Sequence, residues 1–186
     1  PAVIRPFFTI CATMVFMLSL SYTLCFLTRG SQVLMLLRRY PPNQGLWNGV
    51  GGHIESGEAP LQSILREVRE ETGYSLASAH FAGLLSWSGY KIADGGLYIF
   101  TAAAPPGRPT PNGEGQLAWK PREWVCSAPE VVENIHYFAP PVFDSAPPQV
   151  YHFDYNSNII LNHEIRPLPA WVDVERPQQP PVPGPY

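Results

Sequence analysis

Basic residues are scarce: the 186-residue chain has 12 Lys and Arg against 15 Asp and Glu, and no basic run exceeds two residues. A polyanion-binding surface needs clustered cations, which argues against nucleic acid as a partner. Cysteine is scarcer still. Cys11, Cys25 and Cys126 cannot staple a small secreted fold, and no C-x-x-C pair suggests a zinc or redox site. Cys25 and Cys126 therefore read as reduced and structural. Neither G-x-G-x-x-G nor G-x-x-x-x-G-K-[ST] occurs, so no dinucleotide or Walker phosphate loop is supported. No internal repeat is present. Apolar residues, by contrast, make up 45% of the chain, enough for a buried core and too many for wholesale disorder.

The net charge of −3 is localised. Residues 55–71 carry five glutamates against two arginines, which accounts for all of it. Chemistry is to be sought there. Proline is uneven too: five of 22 precede residue 105. The stretch from Pro167 to Tyr186 reads as a Pro-rich, extended and largely disordered tail, because proline lacks the amide that helices and ladders use. At the other end, residues 6–28 are uncharged and long enough to span a bilayer. The competing reading is a hairpin, with Leu18–Leu27 and Gln32–Arg39 as two apolar runs around a Gly-containing turn. The hairpin is favoured, membrane attachment stays an alternative, and residues 1–16 become an upstream extension to a domain over 17–166.

The middle predicts a short strand over 47–54 and a helix over 59–72, with Pro60 in its first turn and Gly73 as its stop. Strands are predicted near 76–88, 97–103, 116–120, 149–155 and 158–165, and short helices near 121–125 and 129–138. Strands around one strong helix indicate an α/β layer fold. On a helical wheel Leu61, Ile64, Leu65, Val68 and Thr72 form the core side, with Glu67, Glu70 and Glu71 roughly opposite. Three carboxylates one turn apart, in the C-terminal half of a helix, repel one another and oppose the helix dipole. A hard divalent cation relieves both costs. Oxygen-only donors point to Mg²⁺ or Mn²⁺.

The context sharpens this. Gly52, Glu58, Arg66, Glu67, Val68, Glu70, Glu71, Gly73 and Tyr74 fit G-x5-E-x7-R-E-U-x-E-E-x-G-U at every specified position, with Tyr74 in the last apolar slot. This resembles the Nudix box of the Nudix hydrolases. The resemblance implies an α/β/α sandwich with a mixed β-sheet and a loop–helix–loop catalytic motif. It implies a cytoplasmic enzyme that hydrolyses a nucleoside diphosphate linked to another moiety. Glu67, Glu70 and Glu71 match the family's metal-binding carboxylates, one of them a candidate base. Arg66 matches the arginine that pins the loop, against Glu58, while Gly52 and Gly73 match tight backbone positions. A further carboxylate is expected outside the box, as second-metal ligand or general base. Glu114, in a Gly-flanked turn before the strand at 116–120, is the candidate, and Asp94 its rival.

Gly45–His53 is similar to the segment before the box in MutT-type and mammalian-type oxidised-purine nucleoside triphosphatases. By that likeness Asn48 reads the base, Arg38 lines the phosphate side, Trp87 stacks on the base, and Thr23 belongs to the substrate-facing first strand. One departure stands out. The paired Asp residues that help discriminate the oxidised purine have no equivalent in Val132–Pro140, which offers Asn134, His136, Tyr137 and Phe138. The leading expectation is Mg²⁺-dependent cleavage of a nucleoside triphosphate, 8-oxo-dGTP among the candidates, to monophosphate and pyrophosphate. The rivals are another nucleotide derivative, such as a dinucleoside polyphosphate or nucleotide sugar, and a non-catalytic binding module. The intact set of acids argues against the last.

Overall fold

A computed structural model describes residues 20–110 and 113–177. A hairpin opens it: β1 (Leu20–Arg29) runs antiparallel to β2 (Gln32–Arg38), with Leu27 opposite Leu34. Side chains alternate between faces of a strand. Leu24, Phe26, Val33 and Met35 enter one core cluster, and Cys25, Leu27, Leu34 and Leu36 enter another. Both faces of the hairpin are therefore covered, and its near-continuous apolar sequence is that of a doubly buried strand. Among the described residues no helix is long and apolar enough to cross a membrane. Residues 1–19, including the rest of the uncharged stretch, lie outside the described residues.

The strand predicted over 47–54 is shorter. β3 covers Trp47–Asn48 and pairs the far end of β2. Beyond it, Val50 and His53 touch β1 only through isolated bridges, to Cys25 and Tyr22. Three glycines in six residues leave too few side chains to hold a regular ladder. Then follow α1 (Pro60–Thr72), β4 (His80–Tyr90), β5 (Gly95–Ala103), β6 (Gly115–Pro121), α2 (Arg122–Val125), α3 (Ile135–Phe143), β7 (Gln149–Ser157) and β8 (Ile159–Pro167).

The sheet order is β3-β2-β1-β5-β4-β7-β8, with β6 on the free edge of β2. β1–β5 and β4–β7 are parallel and the other pairs antiparallel, so the sheet is mixed. α1 covers one face through Ile64 and Val68. α3 covers the other through Ile135, Phe138, Ala139 and Val142. The result is an α/β/α sandwich.

The strand predicted near 76–88 runs over His80–Tyr90, and two larger changes follow. The helix placed at 129–138 starts at Ile135 and runs through Pro140 and Pro141. Both prolines keep their carbonyls in use, toward the amides of Asp144 and Ala146. Burial of the Ile135 and Val142 face outweighs the two missing donors. The tail predicted to be disordered from Pro167 is packed as far as Val174. Leu168, Val172 and Val174 lie against the α1-side core, and the Leu61 N–H donates to the Val174 carbonyl at 2.9 Å. The first amides of a helix have no internal partner, and the tail supplies one. Residues 178–186 lie outside the described residues.

Candidate active site

α1 is tightly bounded. Gln62 reaches back to the Ala59 N–H at 3.0 Å, and Gly73 ends the helix in the left-handed conformation, φ 71°. Helices often stop on such a glycine because it carries no Cβ to clash. The wheel placed Glu67, Glu70 and Glu71 together on the outer side. The structure instead grades them. Glu70 is exposed, Glu67 half-buried, and Glu71 buried at 4% exposure. The correction has a simple cause: the Gly49–His53 segment folds down beside β1 and roofs over that side of α1.

Two carboxylates converge on this roof. Glu71 accepts the Gly51 N–H at 2.8 Å. The Glu67 carboxylate lies so close to Gly52 that an added Cβ there would come within 2.6 Å of it, so a side chain at this position would displace that carboxylate. Arg66 organises the outer side. Its Nε and Nη2 grip Glu58 at 3.0 and 2.9 Å, Nη1 bridges Glu67 at 2.7 Å and Glu70 at 3.1 Å, and Nη2 also donates to the His53 carbonyl. This one guanidinium ties the loop before the helix to the helix itself. It also holds the Glu58 carboxyl below the usual range.

Glu71 is the perturbed group. Burial pushes its carboxyl up to about 7; the Gly51 N–H opposes this, Glu67 adds to it, Arg38 opposes it and Glu114 adds to it. Burial likewise raises Glu67, against the pull of Arg66. These influences place Arg38 and Glu114 within electrostatic range of Glu71. Glu114 precedes β6, and its carbonyl accepts the Arg39 N–H at 2.9 Å. Asp94, its rival, caps the β4–β5 turn by accepting the Gly89 N–H at 2.8 Å.

Among the described residues no three acidic, histidine or thiol side chains already enclose a metal position. Arg66 Nη1 takes the place of a cation between Glu67 and Glu70, and Glu71 is turned onto Gly51. The donor set nonetheless fits a hard divalent ion: all oxygen, with two members of raised proton affinity.

Beside the Gly51–Gly52 roof opens a cavity of about 340 Å³. Thr23, Arg38, Asn48 and Trp87 all line it, with Gly51 and Gly52 at its edge. Thr23 Oγ1 and Arg38 Nε are buried with no hydrogen-bond partner among the described residues. Trp87 donates its indole N–H to the Ala93 carbonyl at 3.0 Å, which satisfies its one polar atom; its ring is buried, with the Tyr22 ring centroid 6.2 Å away. Asn134 and Phe138 also line the wall, whereas His136 turns to the Ala128 carbonyl at 3.0 Å. His152 lies between Ser86 and Asp154 and is not part of the cavity wall. Sequence reasoning missed Tyr22, Asn43, His53, Tyr90 and Tyr155. No local pattern marks them, since they come from five separate segments.

The Nudix-domain family model matches residues 19–145. The chain belongs to the Nudix family. It is a Nudix pyrophosphohydrolase of the MutT-like group, and Nudix hydrolases generally use a divalent metal. Over 154 residues, 81% of this chain and 96% of the relative, it is 25% identical to the oxidized purine nucleoside triphosphate hydrolase of Mus musculus. A 62-residue segment is 37% identical to an NAD-capped RNA hydrolase of Haemophilus influenzae, covering 32% of this chain and 24% of that one. The crystal structure of a mutator MutT protein from Bacillus halodurans superposes with a TM-score of 0.65 at 25% identity, covering 80% of this chain and 98% of the other. A MutT protein from Methanosarcina mazei Go1 shares the fold with a TM-score of 0.62 at 18% identity, covering 68% of this chain and 94% of that one.

Proposed function

We propose that this Nudix hydrolase cleaves a nucleoside triphosphate to the monophosphate and pyrophosphate with Mg²⁺ or Mn²⁺. One observation carries the reading: the cavity holding Asn48 and Trp87 meets, at Gly51–Gly52, the two carboxylates Glu67 and Glu71. A base against Trp87 and Asn48 directs its phosphates toward Arg38 and the acidic helix. Glu67, Glu70 and Glu71, with Glu114 beyond them, would hold the cation, which when bound screens the polyphosphate and acidifies a water. Arg38 neutralises phosphate charge. Arg66, anchored on Glu58, holds Glu67 and Glu70 directly through its Nη1. The proton from the attacking water goes to a helix carboxylate or to Glu114; the raised proton affinity of Glu67 and Glu71 suits such a group.

The mouse relative's name makes an oxidised purine one substrate to assay. The cavity wall contributes Val132 and Asn134 and no Asp or Glu, so strong preference for the oxidised base is not expected of it. The test is a panel of nucleoside triphosphates, with 8-oxo-dGTP, a dinucleoside polyphosphate and a nucleotide sugar, incubated with Mg²⁺ and resolved by chromatography. Monophosphate plus pyrophosphate from a triphosphate is the expected result. Turnover confined to dinucleotides or nucleotide sugars would replace this reading.

A further inference from the structure

Two amides on the cavity wall turn their oxygens toward protein donors. Asn48 Oδ1 accepts the Gly49 N–H at 2.9 Å. A main-chain N–H only donates, so the oxygen must face it and the Nδ2 hydrogens are left for a ligand. Asn43, on the loop between β2 and β3, is placed in the same sense by a side-chain contact. Its Oδ1 accepts the phenolic O–H of Tyr90 at 3.1 Å. Tyr90 ends β4, 47 residues away, and its ring packs on Tyr155 with centroids 4.8 Å apart. The loop is held as well. Gly45 N–H donates to the Arg38 carbonyl at 2.9 Å, and Leu46 N–H to the Asn43 carbonyl at 3.1 Å. Asn43 and Asn48 both line the cavity, and among the described residues none of its lining is Asp or Glu.

We propose that Asn43 is a second base-reading residue beside Asn48, that Tyr90 is its positioning residue, and that the pair selects a base edge with adjacent acceptors. This rests on the reading of the cavity as the nucleotide site. Two donor amides match guanine, which presents O6 and N7, both acceptors. Adenine presents N7 beside an amino group, which sets donor against donor. A wall without a carboxylate has no ionised acceptor to offset that mismatch.

The bland alternative is that Asn43–Tyr90 only staples the loop. Asn43→Asp separates the two, because it keeps an oxygen for Tyr90 and replaces the free N–H groups with an acceptor. The wild-type enzyme should favour GTP over ATP in kcat/KM. Asn43→Asp should lower the GTP value at least about tenfold and the ATP value less, so the ratio collapses. Tyr90→Phe should lower the ratio through KM while kcat is retained. Thermal melting of both variants near the wild type shows that the cavity is intact. A GTP/ATP ratio unchanged by Asn43→Asp, or no wild-type preference for GTP, overturns the proposal. Calorimetric titration with GMP and AMP reads base selection without turnover. Preferential GMP binding lost in Asn43→Asp upholds the proposal even if no triphosphate is hydrolysed, an outcome that would sink only the triphosphatase reading.

Discussion

Glu67 and Glu71 show what a single carboxylate can be asked to do. Glu67 sits against Gly52 with Arg66 on its other side, so Glu67→Gln keeps shape and hydrogen bonding while removing charge. Turnover should fall by about 10²–10⁴, with the fold retained by circular dichroism; near-full activity at saturating Mg²⁺ would remove the catalytic assignment. On the cavity side, Asn48→Ala should cost roughly 1–3 kcal/mol for the preferred base and less for others. Arg38→Ala should weaken all triphosphates alike, since it acts on phosphate charge. Steady-state kinetics on the two variants with several bases checks both, and equal losses for every base in Asn48→Ala would end its recognition role.

At the scale of elements, α1 depends on pieces far away in sequence. Its N-terminal amide at Leu61 is satisfied by Val174, and its acidic face is roofed by Gly49–His53. A chain ending at Pro167 loses the Val174 carbonyl and the packing of Leu168, Val172 and Val174 on the core. It should be less stable by about 2–4 kcal/mol, from one hydrogen bond and three partly buried side chains. Urea unfolding measures this, and an unchanged midpoint would show that the packed tail contributes nothing. The helix boundaries were legible in the sequence, because Pro60 and Gly73 are local signals. The burial of Glu71 was not, because a wheel has no knowledge of a loop that covers the polar side.

For the whole molecule, the buried acid couples stability to pH. Glu71 has its pKa raised from 4.5 to about 7. A group raised in the folded state favours folding fully below its unfolded pKa, and that contribution is lost as pH rises through the folded pKa. Metal-free protein should therefore melt at lower temperature at pH 8 than at pH 5. The loss approaches about 3 kcal/mol. Glu58, held low by Arg66, contributes oppositely, losing its share only as pH falls below the ordinary carboxylate range. Thermal scans in chelator check the trend. Glu71→Gln should reduce it, leaving the smaller share of Glu67, which burial also raises, and Mg²⁺ should restore stability at pH 8. A Tm that does not fall between pH 5 and pH 8 in the parent protein would show that Glu71 is not a strained buried acid.

The box and its helix were determined by the sequence alone, because each feature there has a short-range cause. The acids recur at one-turn spacing, Pro60 sits in the first turn of the helix, and Gly73 ends it. The hairpin of β1 and β2 was legible for a related reason: period-two burial on both faces writes a continuous apolar run. The resemblance also singled out Thr23, Arg38, Asn48 and Trp87, but only the fold brings these four separate segments to one cavity. Tertiary structure alone decided that Glu71 is buried while Glu70 is exposed, that the tail caps α1, and that Tyr90 holds Asn43. Each of these depends on contacts between segments 20 to more than 100 residues apart. No local periodicity encodes such contacts; they follow from which faces the sheet order brings together.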